Sequence, residues 1–345
     1  MVQPKVHIVI LNWNGWEDTI ECLESLLRMD YKNFQIVVCD NASSDDSVSK
    51  ILSWSLSDES IEDYGVAAMK RFSQPPIEKP ISVRQLTRAE AISPQLSLGG
   101  EQVVLIHNGG NLGFAGGNNP GLTLALNAGA DYCWLLNNDT VVEADTLTQM
   151  INHSESLRKS GIKNTCGSVQ CFYDDPNVIQ ALGGMSFDSK SAITSPTFGR
   201  YMIREQYKEI DHEDFERQLA AIHGCSWLLP RDYLNEIGLM DERYFLYYEE
   251  IDWAIRAKGK FKLTYAPQAF VYHKEGASIG STSFKRPRSA FAEYHLIRSR
   301  MLFCRKHLPS RVWPVAFIAL LQALNRLRQR RWGNAKSILK AVFNL

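Results

Sequence analysis

Two neighbouring stretches constrain this chain most: residues 107–119, HNGGNLGFAGGNN, and residues 135–140, LLNNDT. The first is a glycine- and asparagine-rich turn opening a helix. Such a turn lets backbone N–H groups approach a phosphate or sugar at the positive end of the helix dipole. The second ends an apolar strand, Tyr132–Leu136, in a polar cluster carrying one carboxylate, Asp139. A hard carboxylate just past a buried strand suits a divalent cation that bridges phosphate oxygens. Either stretch alone is a common pattern, and an Asn/Gly run is often a plain surface turn. The succession of strand, glycine turn, helix, strand and acidic end points to a nucleotide-sugar site.

The N-terminus supplies a matching pair. Val6–Leu11 (VHIVIL) is a β-branched apolar run of the kind buried on both faces of a parallel sheet. It stops at Asn12-Trp13-Asn14-Gly15, and Ile20, Leu23, Leu26 and Leu27 follow at helical spacing. Phe34–Cys39 makes a second strand, ending in Asp40 and a serine- and aspartate-rich turn. Ligands of open α/β sheets bind beyond the carboxyl ends of the strands, where Trp13, Asp40, Asn111 and Asp139 fall. Asp40 is suited to accept a hydrogen bond from a base imide, and Trp13 to stack on a ring. Ser43 and Ser44 are expected to cap a helix.

Five ordered motifs, ILNWN at 10–14, VCDNASSD at 38–45, NLGFAGGN at 111–118, LNND at 136–139 and YFLYYEEIDWAIR at 244–256, make the chain resemble family 2 glycosyltransferases. The likeness runs over about residues 5–280 and is strongest to rhamnosyl- and galactofuranosyl-transferase-like members. It implies a GT-A fold, an α/β Rossmann-like mixed sheet, here with a C-terminal helical extension. The activity implied is inverting, metal-dependent transfer from a nucleoside-diphosphate sugar to a glycan or lipid-linked acceptor in cell-surface polysaccharide and cell-wall synthesis. dTDP-rhamnose is the first donor expected and UDP-galactofuranose the second.

The resemblance also implies roles. Glu250 is the general base, and Asp139 with His273 holds Mn²⁺ or Mg²⁺. Leu11, Trp13, Asn14, Asp40, Asn111, Gly116, Asn118, Asn137 and Asn138 attend the nucleotide sugar. Trp227, Glu249, Asp252 and Arg256 lie toward the acceptor, although Arg256 is also placed to pair with Asp252 at i,i+4. Two departures matter. The usual DxD is Asn137-Asn138-Asp139, with a single carboxylate, and the late acidic pair is Glu249-Glu250.

Two rival classes compete. An NAD-dependent oxidoreductase would carry its glycine fingerprint after the first strand, whereas here it follows what reads as the third. A non-catalytic nucleotide-sugar-binding module is favoured by the lone carboxylate.

At 345 residues and 45% apolar content the chain can bury a large core. Its seven scattered cysteines show no zinc spacing and read as reduced, buried thiols. The N-terminal run is too short for a signal peptide, so a cytoplasmic protein is expected. Residues 1–283 read as the catalytic domain. Within them 57–102, rich in proline and glycine and without a sustained period, read as an irregular insertion. Residues 284–345 carry 14 Lys and Arg against one acid, Glu293, a net of +13, and the remainder of the neutral chain carries −13. Basic, aromatic-bearing helices in this extension suggest docking of 312–345 on the anionic cytoplasmic face of a membrane. The alternative is packing on the catalytic domain or on a second copy in a homodimer. Nucleic acid is disfavoured, because no recognition motif accompanies the charge.

Overall fold

The structure, a computed structural model, describes residues 3–57, 66–196, 199–274 and 288–343. Its β-branched runs form a parallel half-sheet in the order Val83–Thr87, Val103–His107, Phe34–Asp40, Val6–Asn12 and Tyr132–Asn137. These central strands are apolar throughout because helices cover both faces. On one face Ile8, Ile10 and Val38 pack against Ile20, Leu23 and Leu26 of helix Trp16–Leu26 and Ile51 and Trp54 of helix Ser47–Leu56. On the other, Val9, Val37 and Cys39 meet Leu122 and Ala125 of helix Gly113–Asn127.

Strand Ser226–Pro230 then runs antiparallel to Tyr132–Asn137, and Asn164–Phe172, Lys262–His273 and Thr140–Val142 complete the path. With Ile179–Leu182 paired to Asn164–Phe172, the mixed sheet has ten strands. A small antiparallel sheet of Ile193–Pro196, Gly184–Asp188 and Ala221–Ile222 stands beside it.

Three helices, Ala290–His307, Val312–Arg328 and Trp332–Phe343, close the chain. Phe303 of the first packs with Tyr244, Tyr248 and Ile251. Lys306 and His307 reach the buried Asp252 carboxylate at 2.6 and 2.7 Å. The 283/284 boundary expected from charge falls outside the described residues.

Two expectations are corrected. The 57–102 segment is not simply irregular: Val83–Thr87 is the edge strand of the main sheet, and short helices Lys70–Ser73 and Arg88–Ala91 flank it. Only Leu86 of that strand is fully buried, so the edge strand lacks a clear period. The glycine turn therefore follows the fourth strand. Neither Ser43 nor Ser44 caps a helix. The helix begins at Ser47, and Ser43 donates both its backbone N–H and its hydroxyl to Asp40. All seven cysteines are free and buried, as expected.

Candidate active site

Beyond the carboxyl ends of the Val6–Asn12 and Tyr132–Asn137 strands opens a cavity of about 560 Å³. Leu11, Trp13, Asn111, Asn137, Asn138 and Asp139 line one side, and Glu249, Glu250 and His273 line it further round. Sequence reasoning thus placed these residues together.

Asp139 faces His273, with Oδ1 3.2 Å from Nε2, and both side chains are buried. Burial works to raise the Asp139 carboxyl, but His273 and Lys274 offset it and hold the group below the ordinary carboxylate range. Burial works to lower His273, and Cys225 and Asp139 together lift it well above the usual imidazole range. His273 Nδ1 lies 2.8 Å from Gln180 Oε1, which orients the ring, and Asn137 Nδ2 approaches Nε2 at 3.5 Å. Among the described residues no cluster of three or more His, Cys, Asp or Glu surrounds this pair. An oxygen and a nitrogen 3.2 Å apart nevertheless suit two residues that would hold one divalent ion.

Asn138 Nδ2 donates to Thr19 Oγ1 at 3.0 Å, and Thr19 donates in turn to Asn12 Oδ1 at 2.9 Å. This braces the strand ends against each other.

Across the cavity, Tyr247 and Tyr248 hold left-handed backbone, φ 68° and 72°, and helix Glu249–Ala257 starts immediately after them. Bulky residues rarely take that conformation, and such strain collects at functional sites. The turn delivers two adjacent carboxylates. Glu250 Oε1 accepts the Gly224 backbone N–H at 3.1 Å, whereas Glu249 Oε2 is buried and unpartnered. Burial raises both groups. Glu249 goes well above the carboxylate range, helped by the charge of Glu250, and Glu250 rises too, although the Gly224 N–H holds it back.

Several sequence-chosen residues stand elsewhere. Trp227 is no sugar platform: it is fully buried, donates to Thr165 Oγ1 at 2.5 Å and packs edge-on with Tyr233 and Trp253. Asp252 and Arg256 point away from the cavity. Asp252 is wholly buried among Arg256, Lys306 and His307, and Arg256 also caps the Ile237 and Leu239 carbonyls. Asp40 is occupied by Asn12 and Ser43 rather than open to a base, and Asn14 bridges to Ser44.

The glycine turn also differs from expectation. Gly113 takes φ 71°, and a Cβ there would meet Phe245 O at 2.1 Å. Its N–H goes to Asn111 Oδ1, and that of Phe114 goes to Phe245 O. A Cβ on Gly116 would strike Leu112, one on Gly117 would strike Leu11, and Asn118 Nδ2 donates to Phe114 O. These glycines make room for the Phe245 backbone, for Leu112 and for Leu11 of the sheet rather than forming a dinucleotide cradle, which removes the basis of the oxidoreductase alternative. Residues that sequence reasoning missed also line the cavity: Asn41, Gln170, Gln180, His223, Tyr247 and Arg288. The signal available was a buried polar residue inside an apolar strand, as in Val169-Gln170-Cys171.

Comparisons with known proteins agree with this geometry. The profile described as "Glycosyl transferase family 2" matches residues 7–67. N-acetylglucosaminyl-diphospho-decaprenol L-rhamnosyltransferase of Mycobacterium tuberculosis is 31% identical over 121 residues, 35% of this chain and 36% of that protein. Low-salt glycan biosynthesis hexosyltransferase Agl10 of Haloferax volcanii is 22% identical over 169 residues, 46% of this chain and 47% of that one. The matched stretch spans about a third of the first relative's length and about half of the second's. The crystal structure of GalNAc-T7 with UDP, GalNAc and Mn²⁺ shares the fold, with a TM-score of 0.53 at 13% identity, over 88% of this chain and 48% of that one. The architecture is the GT-A fold. Over residues 7–67 the chain is similar to glycosyl transferase family 2.

Proposed function

We propose that the chain is an inverting glycosyltransferase that moves a sugar from a nucleoside diphosphate to a glycan or lipid-linked acceptor in cell-surface polysaccharide synthesis. One observation carries this reading: a single cavity joins the Asp139–His273 pair to the adjacent Glu249 and Glu250 carboxylates, the second aimed by the Gly224 N–H. Glu250, ionised and aimed by the Gly224 N–H, is the general base that takes the acceptor hydroxyl proton. Asp139 and His273 hold a divalent ion, Mn²⁺ or Mg²⁺, which when bound supplies positive charge to a departing diphosphate. Trp13 and Leu11 attend the nucleotide at the ends of the parallel strands. With no second nucleophile placed opposite Glu250 in this scheme, displacement is direct and inverts the anomeric centre. The mycobacterial relative's name favours dTDP-rhamnose as donor, with UDP-galactofuranose second.

The extension suits an acceptor carried on lipid. No helix among the described residues is long and apolar enough to cross a membrane. Instead, helices Val312–Arg328 and Trp332–Phe343 turn small residues inward, among them Ala316, Ala319, Ala323, Ala335 and Ala341, and expose Trp313, Phe317, Leu321, Leu324, Trp332 and Phe343. Arg328, Arg330, Lys336 and Lys340 are exposed beside them. An outward apolar face edged with cations matches an anionic membrane surface. The catalytic reading is tested by transfer and hydrolysis assays across a panel of nucleotide sugars, with and without Mn²⁺. Tight nucleotide-sugar binding without turnover for any donor would instead identify a binding module.

A further inference from the structure

Gln170 is fully buried in strand Asn164–Phe172, yet lines the cavity with neither its Nε2 nor its Oε1 partnered. On the neighbouring strand Gln180 is also buried, with its Oε1 committed to His273 Nδ1 at 2.8 Å and its Nε2 unpartnered. Native proteins tolerate few buried amides without hydrogen bonds, so each such group calls for an explanation. A leucine or methionine would fill much of the same volume without desolvating an amide. Two of them facing one cavity indicate a ligand that satisfies both.

We propose that Gln170 and Gln180 form the subsite for the transferred sugar ring of the donor, and that this ring is uncharged and bears free hydroxyls. An amide presents donors and an acceptor side by side, as do the hydroxyls of a sugar, which donate and accept in turn. A phosphate calls for cations or a set of backbone N–H groups. A carboxylated sugar would bury its charge against neutral amides. His223 lines the same cavity beside His273. Arg200 also lines the cavity, and its guanidinium lies over the rings of Phe172 and Tyr201.

Position assigns the amides to the donor. Gln180 is one hydrogen bond from His273, and His273 is one contact from Asp139. Gln170 stands opposite Val271, two residues before His273 and on the same sheet face. The sugar of a nucleoside diphosphate donor is bonded to the terminal phosphate, so it lies next to whatever holds that phosphate. This inference rests on the glycosyl-transfer reading above.

Calorimetric titration of the full chain in Mn²⁺ separates the two. The probes are dTDP, dTDP-rhamnose, UDP and UDP-galactofuranose. Gln170→Leu, with the unbranched Gln170→Met beside it, is expected to leave affinity for the nucleoside diphosphate unchanged. Affinity for the matching sugar nucleotide should fall about 10- to 100-fold, the loss of two or three hydrogen bonds. Melting temperatures should hold or rise, since an unpartnered amide has been removed. Equal losses for diphosphate and sugar nucleotide would overturn the assignment, because Gln170 then only shapes the cavity. So would unchanged affinities, or intact donor affinity with a raised acceptor KM. Wild-type protein that binds neither diphosphate overturns the donor reading itself, and is seen before any variant is made.

Discussion

Glu249 and Glu250 are adjacent but differently held. The Gly224 N–H donates to Glu250, whereas Glu249 leaves an oxygen buried without a partner. Burial raises both carboxyls, and the charge of Glu250 adds to it only at Glu249, which favours the protonated form there. Glu250→Gln is therefore expected to keep the fold and donor binding and to lower kcat by about two to four orders of magnitude. Because burial raises Glu250, its active carboxylate form is lost as pH falls through a value above the ordinary 4.5. The acid limb of the kcat/KM profile should accordingly lie above that value in wild type and be absent in Glu250→Gln. Near-normal turnover in Glu250→Gln, with a dead Glu249→Gln, would exchange the two assignments. Asp139 stands alone where a DxD would place two carboxylates. Asp139→Ala is expected to abolish the Mn²⁺ dependence of donor binding, while His273→Ala raises the Mn²⁺ required. Unchanged metal titrations in both would leave the pair a structural ion pair.

Helix Glu249–Ala257 works as an element with two faces. One end delivers the carboxylates to the cavity, and the opposite face ties the C-terminal extension to the catalytic region through Asp252. That carboxylate is fully buried, but its cationic partners are partly exposed and can rehydrate when it is removed. Asp252→Asn should therefore cost about 2 kcal/mol, below the range for wholly buried pairs. Although burial acts to raise Asp252, hydrogen bonds from Lys306 and His307 lower it below its ordinary 3.8. The stability it adds is present above that ordinary value and lost as pH falls through the lower folded value. The wild-type advantage over Asp252→Asn should thus hold above about pH 4 and narrow only below it. Melting curves from pH 3 to 7 check this; a constant difference across that range would remove Asp252 from the ion cluster's energetics.

At the scale of the whole molecule, charge and apolar exposure divide the chain. The catalytic part is acidic and the extension basic, and the large apolar side chains of the last two helices face outward with Trp313 84% and Phe343 72% exposed. Helices normally bury their bulky residues, and here alanines take most of the inner positions, with only Val315 and Ile338 among the large apolar residues fully buried. The full chain should float with anionic vesicles at low salt and be released as salt rises, since surface charge is screened over ~8 Å at physiological ionic strength. A chain ending near Lys306 should stay at the bottom. If the full chain also stays down and instead elutes as a dimer, the face is an interface between two copies.

Much of this was legible in the sequence for a physical reason. Strands buried on both faces must be continuously apolar, so Val6–Leu11, Phe34–Cys39 and Tyr132–Leu136 announced the parallel half-sheet and where its carboxyl ends lay. The polar residues just past those ends, Trp13, Asn111, Asn137 and Asp139, had to be near one another, and they line one cavity. The edge strand Val83–Thr87 was hidden because an edge needs less apolar surface. Which face a side chain takes was also hidden. Trp227 and Asp252 lie in or beside stretches that border the cavity, but packing turns one into the core and the other toward Lys306. Gly117 serves helix-to-sheet contact because the helix lies too close to Leu11 for a Cβ, whereas Gly116 makes room for Leu112 of its own helix start. Local pattern fixed where chain segments begin, end and bury themselves. Only the tertiary structure decided which polar groups find partners and which, like Gln170 and Glu249, are left facing the cavity, because partnership depends on strands far apart in sequence.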